Sequence, residues 1–421
     1  MSAHRTAVRQ LPLFALRVPG VTMRTTGLAS MGGLYEGDDL ASALADARER
    51  TLAIYAHLDL ARLEVPRLAI VNPPVWELAH IAWFQERWCQ RYVEGRALRP
   101  SRLEGADRLF DSSAVAHATR WSLDYPPLII LQAYLRETLE ATLERLAHAT
   151  PEERYFFELA LLHEDMHGEA LLMTLQTLAL PAPGIALVSP RAEPAHDIAF
   201  GGGTFLMGSP REAGRFVFDN EKWAHEVAVE PFAMASAPVT AGEFAAFVEE
   251  GGYRQRGLWS EAGWAWRSAA AREAPLYWRR EGTGWSVRRF DHWQALQGDE
   301  AMRHVTLHEA QAYCRWTHRR LPTEAEWEFA ATREGPLGPR QMGAVWEWTA
   351  SPFDPYPGFS ADPYAEYSQP WFHTHYVLRG ASFATRCRLA HPRFRNFYLP
   401  ERGDVFAGMR TCPLGRATPV S

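Results

Sequence analysis

Long apolar runs are missing from this chain. No stretch approaches the ~18 consecutive apolar residues of a membrane-crossing helix, and segments such as Leu128 to Leu131 are far too short. The expectation is a soluble protein with no membrane partner. Cysteine is scarce: Cys89, Cys314, Cys387 and Cys412 are the only four in 421 residues, and no two form a Cys-x-x-Cys pair. A disulfide framework is thereby excluded and a reducing, cytoplasmic compartment is expected. An excess of either charge is missing too, since 44 Lys and Arg face 50 Asp and Glu for a net charge of −6. That argues against a nucleic-acid partner and leaves small molecules. Internal repeats and low-complexity segments are also absent. With 47% hydrophobic and 22% charged residues the chain is globular, long enough for two or three domains. The first 35 residues lack Asp and Glu but carry Arg5, Arg9, Arg17 and Arg24. Their apolar core, Leu11 to Leu16 with a proline inside, is too short for a secretory signal. Residues 1–35 read as a flexible N-terminal extension, with a targeting leader or a later start at Met23 or Met31 as alternatives.

Two grammars divide the remainder. From Asp38 to about Leu180 apolar residues recur at three-and-four spacing with few glycines, which predicts helices near 38–59, 74–93, 127–148 and 152–179. Pro74 suits a first helical turn, and Thr150-Pro151-Glu152-Glu153 reads as an N-cap, a proline at N1 and acids in the first turn. Four such helices make a bundle, placed at 36–182. After Pro181-Ala182-Pro183-Gly184 the chain turns to short β-branched runs, tryptophans and Gly/Pro turns, an α+β domain over 183–421. Helices are predicted there over Ala241 to Glu250, His308 to His318 and Thr323 to Thr332, the last opening on the capping-box pattern Thr323-Glu324-Ala325-Glu326.

The sharpest local feature is His163-Glu164-Asp165-Met166-His167-Gly168-Glu169. Histidines four apart lie about 40° apart around a helix, so both imidazoles can meet one metal. Glu164, about 100° from His163, can lean toward that site, whereas Glu169, about 240° round, points away. His80, among the apolar neighbours of Trp76-Glu77-Leu78-Ala79-His80-Ile81-Ala82-Trp83-Phe84, is the third candidate ligand. Three imidazoles with open positions suit a redox or hydrolytic metal, and spacing does not choose between iron and zinc. Two other readings stay open: ordinary helix histidines, and a zinc hydrolase in which His163-Glu164-x-x-His167 uses Glu164 as general base.

These residues carry a resemblance that spans about 40–415. The first half resembles a DinB-type four-helix domain through His163, His167 and Glu169. The second resembles the formylglycine-generating-enzyme fold, an elaborated C-type-lectin-like domain. It does so through Phe218-Asp219-Asn220-Glu221, Pro238-Val239-Thr240, Arg320-Leu321-Pro322-Thr323-Glu324-Ala325-Glu326-Trp327-Glu328, Val345-Trp346-Glu347-Trp348, Leu378-Arg379-Gly380 and Arg393-Phe394-Arg395-Asn396-Phe397. That pairing, in that order, is similar to the ergothioneine-type sulfoxide synthases. The resemblance implies a nonheme Fe(II) enzyme with dioxygen as co-substrate, His80, His163 and His167 as iron ligands, and a sulfur donor joined to C2 of the imidazole of hercynine. It implies Tyr364, in Tyr364-Ala365-Glu366-Tyr367, as the catalytic residue that delivers a proton or hydrogen atom, with Tyr367 beside it; packing in a loop is the other reading of this pair. Asn396 and Phe397 are implied near the hercynine carboxylate and imidazole, where aromatic faces would suit the quaternary ammonium.

Departures from the family bear on the donor. Met166 stands where a glutamine usually helps hold the hercynine carboxylate. Tyr398 stands where the enzymes that use γ-glutamylcysteine have an acid, although Arg402 is kept. Asp404 resembles the branch that uses free cysteine. Asn72-Pro73-Pro74-Val75-Trp76-Glu77-Leu78 and the segment His163 to Leu171 look most like the selenoneine synthases, which join hercynine to a selenosugar. Ala344, in place of an asparagine, weakens the case for the calcium site of formylglycine-generating enzymes. The expected function is therefore carbon–selenium bond formation in a cleft between the halves. Carbon–sulfur bond formation with cysteine or γ-glutamylcysteine is the alternative, and a binding module that has lost its chemistry is the rival class.

Overall fold

A computed structural model describes residues 40–188, 191, 194–333 and 342–415. The extension expected over 1–35 lies outside the described residues. The chain forms two compact units. One runs through the helical half to Leu171 and takes in Pro183–Ile185; the other holds Leu172–Ala182 and the chain from Ala186 onward.

The first unit contains α1 (Leu40–Tyr55), α2 (Pro74–Glu86), a short α3 (Ala106–Phe110), α4 (Leu128–Leu146) and the greater part of α5 (Pro151–Thr177). Pro74 opens α2, as its fixed φ suits a first turn. Thr150 caps α5 reciprocally: its hydroxyl accepts from the Glu153 amide, and the Glu153 carboxylate accepts from the Thr150 amide. Leu40, Leu44, Leu139, Leu146, Phe157 and Leu161 form a core between α1, α4 and α5. Helix α2 runs through the interior, with every residue from Trp76 to Glu86 buried. Its polar members Glu77, His80, Gln85 and Glu86 must therefore find partners inside the protein. Helix α3 was not expected, because five residues are too few to show a period. No helix among the described residues is long and apolar enough to cross a membrane.

The second unit is α+β. Its first strands are β1 (Asp197–Phe200), β2 (Gly203–Met207), β3 (His225–Val229), β4 (Phe232–Ala235), β5 (Trp278–Glu281), β6 (Gly284–Arg289), β7 (His292–Ala295) and β8 (Arg319–Arg320). A central four-stranded sheet of order β11-β10-β9-β12 follows, built from β9 (Trp346–Pro352), β10 (Tyr376–Arg379), β11 (Asn396–Tyr398) and β12 (Ala407–Gly408). Helices α6 (Ala241–Glu249), α8 (Leu307–Trp316) and α9 (Glu324–Ala331) each open on a complete capping box, at Thr240, Thr306 and Thr323. Helix α7 (Glu261–Ala269) was not expected. Ser260 caps it by accepting from Gly263, but a glycine and two tryptophans within nine residues mask its period. Below the central sheet Arg379 and Arg395, both essentially inaccessible, converge on Glu324 at 2.6 Å each, and Arg379 also reaches Glu328 at 2.9 Å. Burial works against ionisation of Glu324, but the two guanidiniums outweigh it and hold its carboxyl below the usual range.

Candidate metal centre and tyrosine segment

Within the first unit, α2 and α5 bring His80, His163 and His167 together, with one ligand nitrogen of each within 4.8 Å of the others. The outer nitrogens of two rings are engaged elsewhere. His80 Nδ1 lies 2.7 Å from the Phe110 carbonyl, and His167 Nδ1 lies 2.8 Å from Glu77 Oε1. Each bond fixes a tautomer with the proton on Nδ1, which leaves the Nε2 lone pair for the cluster. Trp76 stacks on His80 at 4.9 Å and Phe84 stacks on His163 at 3.5 Å, so two rings are set by aromatic walls. Burial lowers the pKa of His80 and His163 well below the ordinary value, and the neighbouring imidazoles add to it. Neutral imidazoles are metal donors. His167, with 19% of its side chain exposed, forms the open edge.

The structure corrects the expectation for Glu164. Its two carboxylate oxygens accept from Arg48, at 2.8 and 3.2 Å, and both side chains are buried. A carboxylate so held is not the general base that a His-Glu-x-x-His hydrolase requires, which weighs against that reading. Glu169 lies outside the cluster, and Met166 is half-buried between the two α5 histidines. Glu77 was missed from the sequence. The signal was its place three residues before His80, on the same face of α2.

In the second unit Tyr364 caps a single 3-10 turn, Ala365–Tyr367, and Tyr367 ends it, with ring centroids 6.1 Å apart. Tyr367 stacks on Phe218 at 4.4 Å and meets the edge of Phe397 at 6.0 Å. Burial, with Glu221 and Asp219 nearby, raises the Tyr367 phenol well above its usual pKa. Strand alternation sends Asn396 and Tyr398 to one face of β11 and Phe397 to the other, where Phe397 stacks on Phe353 at 4.1 Å. Arg402 lies over the Tyr398 ring at 5.0 Å and donates to both oxygens of Asp404 at 2.6 Å. Asp404 is 2% exposed, so its charge is spent on Arg402.

Two domain families match the chain. Residues 43–178 match the DinB superfamily, and 185–341 with 332–413 match the sulfatase-modifying factor enzyme 1-like domain. The protein is thus a DinB helical domain, bearing a three-histidine cluster, followed by a sulfatase-modifying-factor-type domain. Three relatives share that whole arrangement. The hercynine oxygenase of Mycolicibacterium thermoresistibile is 34% identical over 88% of this chain and 94% of its own, and that of Mycolicibacterium smegmatis is 35% identical over 89% and 98%. The hercynine oxygenase of Mycobacterium tuberculosis is 34% identical over 89% and 98%. The formylglycine-generating enzyme of Streptomyces coelicolor matches only 39% of the chain, at 33% identity. The chain belongs to the hercynine oxygenase family of enzymes.

Proposed function

We propose that this protein is a nonheme Fe(II)- and dioxygen-dependent selenoneine synthase, joining the selenium of a selenosugar to C2 of the hercynine imidazole. The family relationship supports the hercynine half of this reading. The donor set is compatible with the metal: three neutral imidazoles accept iron as they accept zinc, and the family relationship favours iron, so His80, His163 and His167 would hold it. When bound, iron would supply the activation of dioxygen, the oxidant that the bond formation needs.

The protein's own share is binding, orientation and proton handling. Trp76 and Phe84 orient the His80 and His163 rings by stacking, and the bonds to Glu77 and Phe110 hold two imidazoles in one tautomer. Tyr364 is the residue assigned to deliver a proton or hydrogen atom, with the half-buried Tyr367 ring 6.1 Å from its own. Asn396, Phe397 and Met166 are assigned to hercynine. Replacing C2–H by C2–Se releases two protons and two electrons when the donor is a selenol. Dioxygen takes the electrons, and the chain must give the protons a route.

The donor choice is carried by the arrangement of Tyr398, Arg402 and Asp404. An amino-acid thiol presents an ammonium group that wants a carboxylate, yet position 398 is a phenol and Asp404 is already neutralised by Arg402. A sugar lacks that ammonium and packs well on an aromatic face. The second reading, a sulfoxide synthase taking cysteine or γ-glutamylcysteine, draws on the retained Arg402. With four free thiols and no disulfide, the reaction is assigned to the cytoplasm. The deciding test offers anaerobically iron-loaded protein hercynine, a selenosugar, cysteine and γ-glutamylcysteine together in air, with products read by mass spectrometry. A selenium adduct of hercynine is expected. A sulfoxide adduct alone would move the protein to the sulfur branch.

A further inference from the structure

Tyr364 and Tyr367 are joined by a single 3-10 turn, closed by the Tyr367 amide on the Tyr364 carbonyl at 3.2 Å, and lie outside the longer helices and strands of the domain. Three contacts from one short segment, Phe218 to Lys222, hold them in place. At the upstream end Lys222 Nζ lies 2.7 Å from both carboxylate oxygens of Asp362, two residues before Tyr364. At the downstream end the hydroxyl of Ser368, the residue after Tyr367, donates to Asp219 Oδ1 at 2.5 Å. Between them Phe218 lies against the Tyr367 ring, 23° from parallel.

The supporting segment is itself fixed. The buried Glu221 carboxylate accepts from Ser209 at 2.9 Å and Arg215 at 3.1 Å, and the Asn220 carbonyl accepts from Arg395 at 2.8 Å. Arg395 in turn belongs to the Glu324 ion network. The tyrosine segment is therefore tied at both ends to a part of the domain core. Lys222 is also the single lysine among 44 Lys and Arg residues. Its ammonium is a compact point charge that sits on both oxygens of one carboxylate. Lys222 and Asp362 are 16% and 18% exposed, so this pair is less screened than a surface pair.

We propose that Phe218–Lys222 is a cradle for the tyrosine segment, and that Lys222 and Asp219 are positioning residues for the step that Tyr364 performs. This rests on the role given to Tyr364 under Proposed function. The two can fail separately, because the cradle is read by hydrogen exchange and the tyrosine by turnover.

The test uses iron-loaded, full-length protein and the variants Lys222→Met, Lys222→Arg and Tyr364→Phe, with Asp362→Asn and Ser368→Ala as independent breaks of the same two contacts. In Lys222→Met, amide exchange across 362–368 should quicken about tenfold or more while the rest of the second unit keeps its protection. Iron content should be unchanged, and kcat should fall by about a hundredfold with little change in KM, the usual cost of a misplaced reacting group. Lys222→Arg, which can still pair with Asp362, should restore most of both. Unchanged exchange over 362–368 in Lys222→Met, or in Asp362→Asn and Ser368→Ala should the first not fold, overturns the cradle. Faster exchange with normal turnover, beside an inactive Tyr364→Phe, overturns the positioning role and keeps the tyrosine. A fully active Tyr364→Phe overturns the tyrosine reading, and the exchange data still decide the cradle.

Discussion

His167 differs from His80 in what holds its outer nitrogen: a carboxylate in one case, a peptide carbonyl in the other. A carboxylate partner makes the imidazole a stronger donor and places one negative charge beside the metal position. Glu77→Gln keeps an oxygen for the hydrogen bond and removes the charge. It should weaken iron binding by about 10–100-fold, measured by competition with a chelator under anaerobic conditions. His167→Ala should abolish both iron binding and turnover, and unchanged turnover would sink the site assignment. At position 398 the expectation concerns specificity. Tyr398→Asp restores a carboxylate near Arg402, so the use of cysteine or γ-glutamylcysteine relative to the selenosugar should rise on the order of tenfold, the worth of one hydrogen bond to a charged group. An unchanged product ratio in the competition assay would separate residue 398 from donor choice. The three histidines were legible in the sequence because chemistry and helix spacing coincide in them. Glu77 and Lys222 were not, since each acts through a partner, His167 at 90 positions' remove and Asp362 at 140. Only the fold makes such neighbours.

At the scale of elements, four of the six segments that mark the second domain in the sequence meet in one ionic framework. Glu324 and Glu328 come from α9, Arg379 ends β10, Arg395 immediately precedes β11, and the carbonyl of Asn220 completes the set. Their residue types carried a resemblance, but their common purpose, holding α9 to the central sheet through buried charge, cannot be read from a linear order. Breaking such a group from one side is costly, because the remaining charges stay buried. Glu324→Gln should destabilise the protein by about 3–5 kcal/mol, read as a lower urea midpoint. A loss under about 1 kcal/mol would mean that water reaches the arginines. Helix starts were far more legible. The Thr150 and Thr323 caps are local, four-residue patterns, and the structure contains both. Helix α7 escaped because Gly263 and two tryptophans within nine residues mask its period, although Ser260 caps it locally.

For the whole molecule, the order of a helical metal-binding half and a mixed half was visible in the change of grammar near Pro181, because hydrophobic period is a local property. The balance of buried charge was not, and it gives the protein two opposing pH dependences. Glu324, Glu326 and Glu300 are each opposed by burial, yet arginines outweigh it and hold their carboxyls below the usual range. Their contribution is full above the unfolded pKa, ~4.3 for glutamate, and is lost as pH falls through the lower folded values. Asp219 behaves in the other sense. Burial pushes its carboxyl up to about 6, Asp362 adds to this, and the Ser368 hydroxyl opposes it. Its contribution is therefore full below the unfolded value of ~3.9 and is lost as pH rises through about 6. Asp219→Asn keeps the oxygen that accepts from Ser368 and cannot ionise, so it removes the second dependence alone. Urea denaturation of both proteins between pH 4 and pH 8 should show the variant gaining on the parent as pH rises, by on the order of 3 kcal/mol across that range. A difference that stays flat through pH 6 would mean that Asp219 is ionised throughout, with its charge answered by Lys222 or by water.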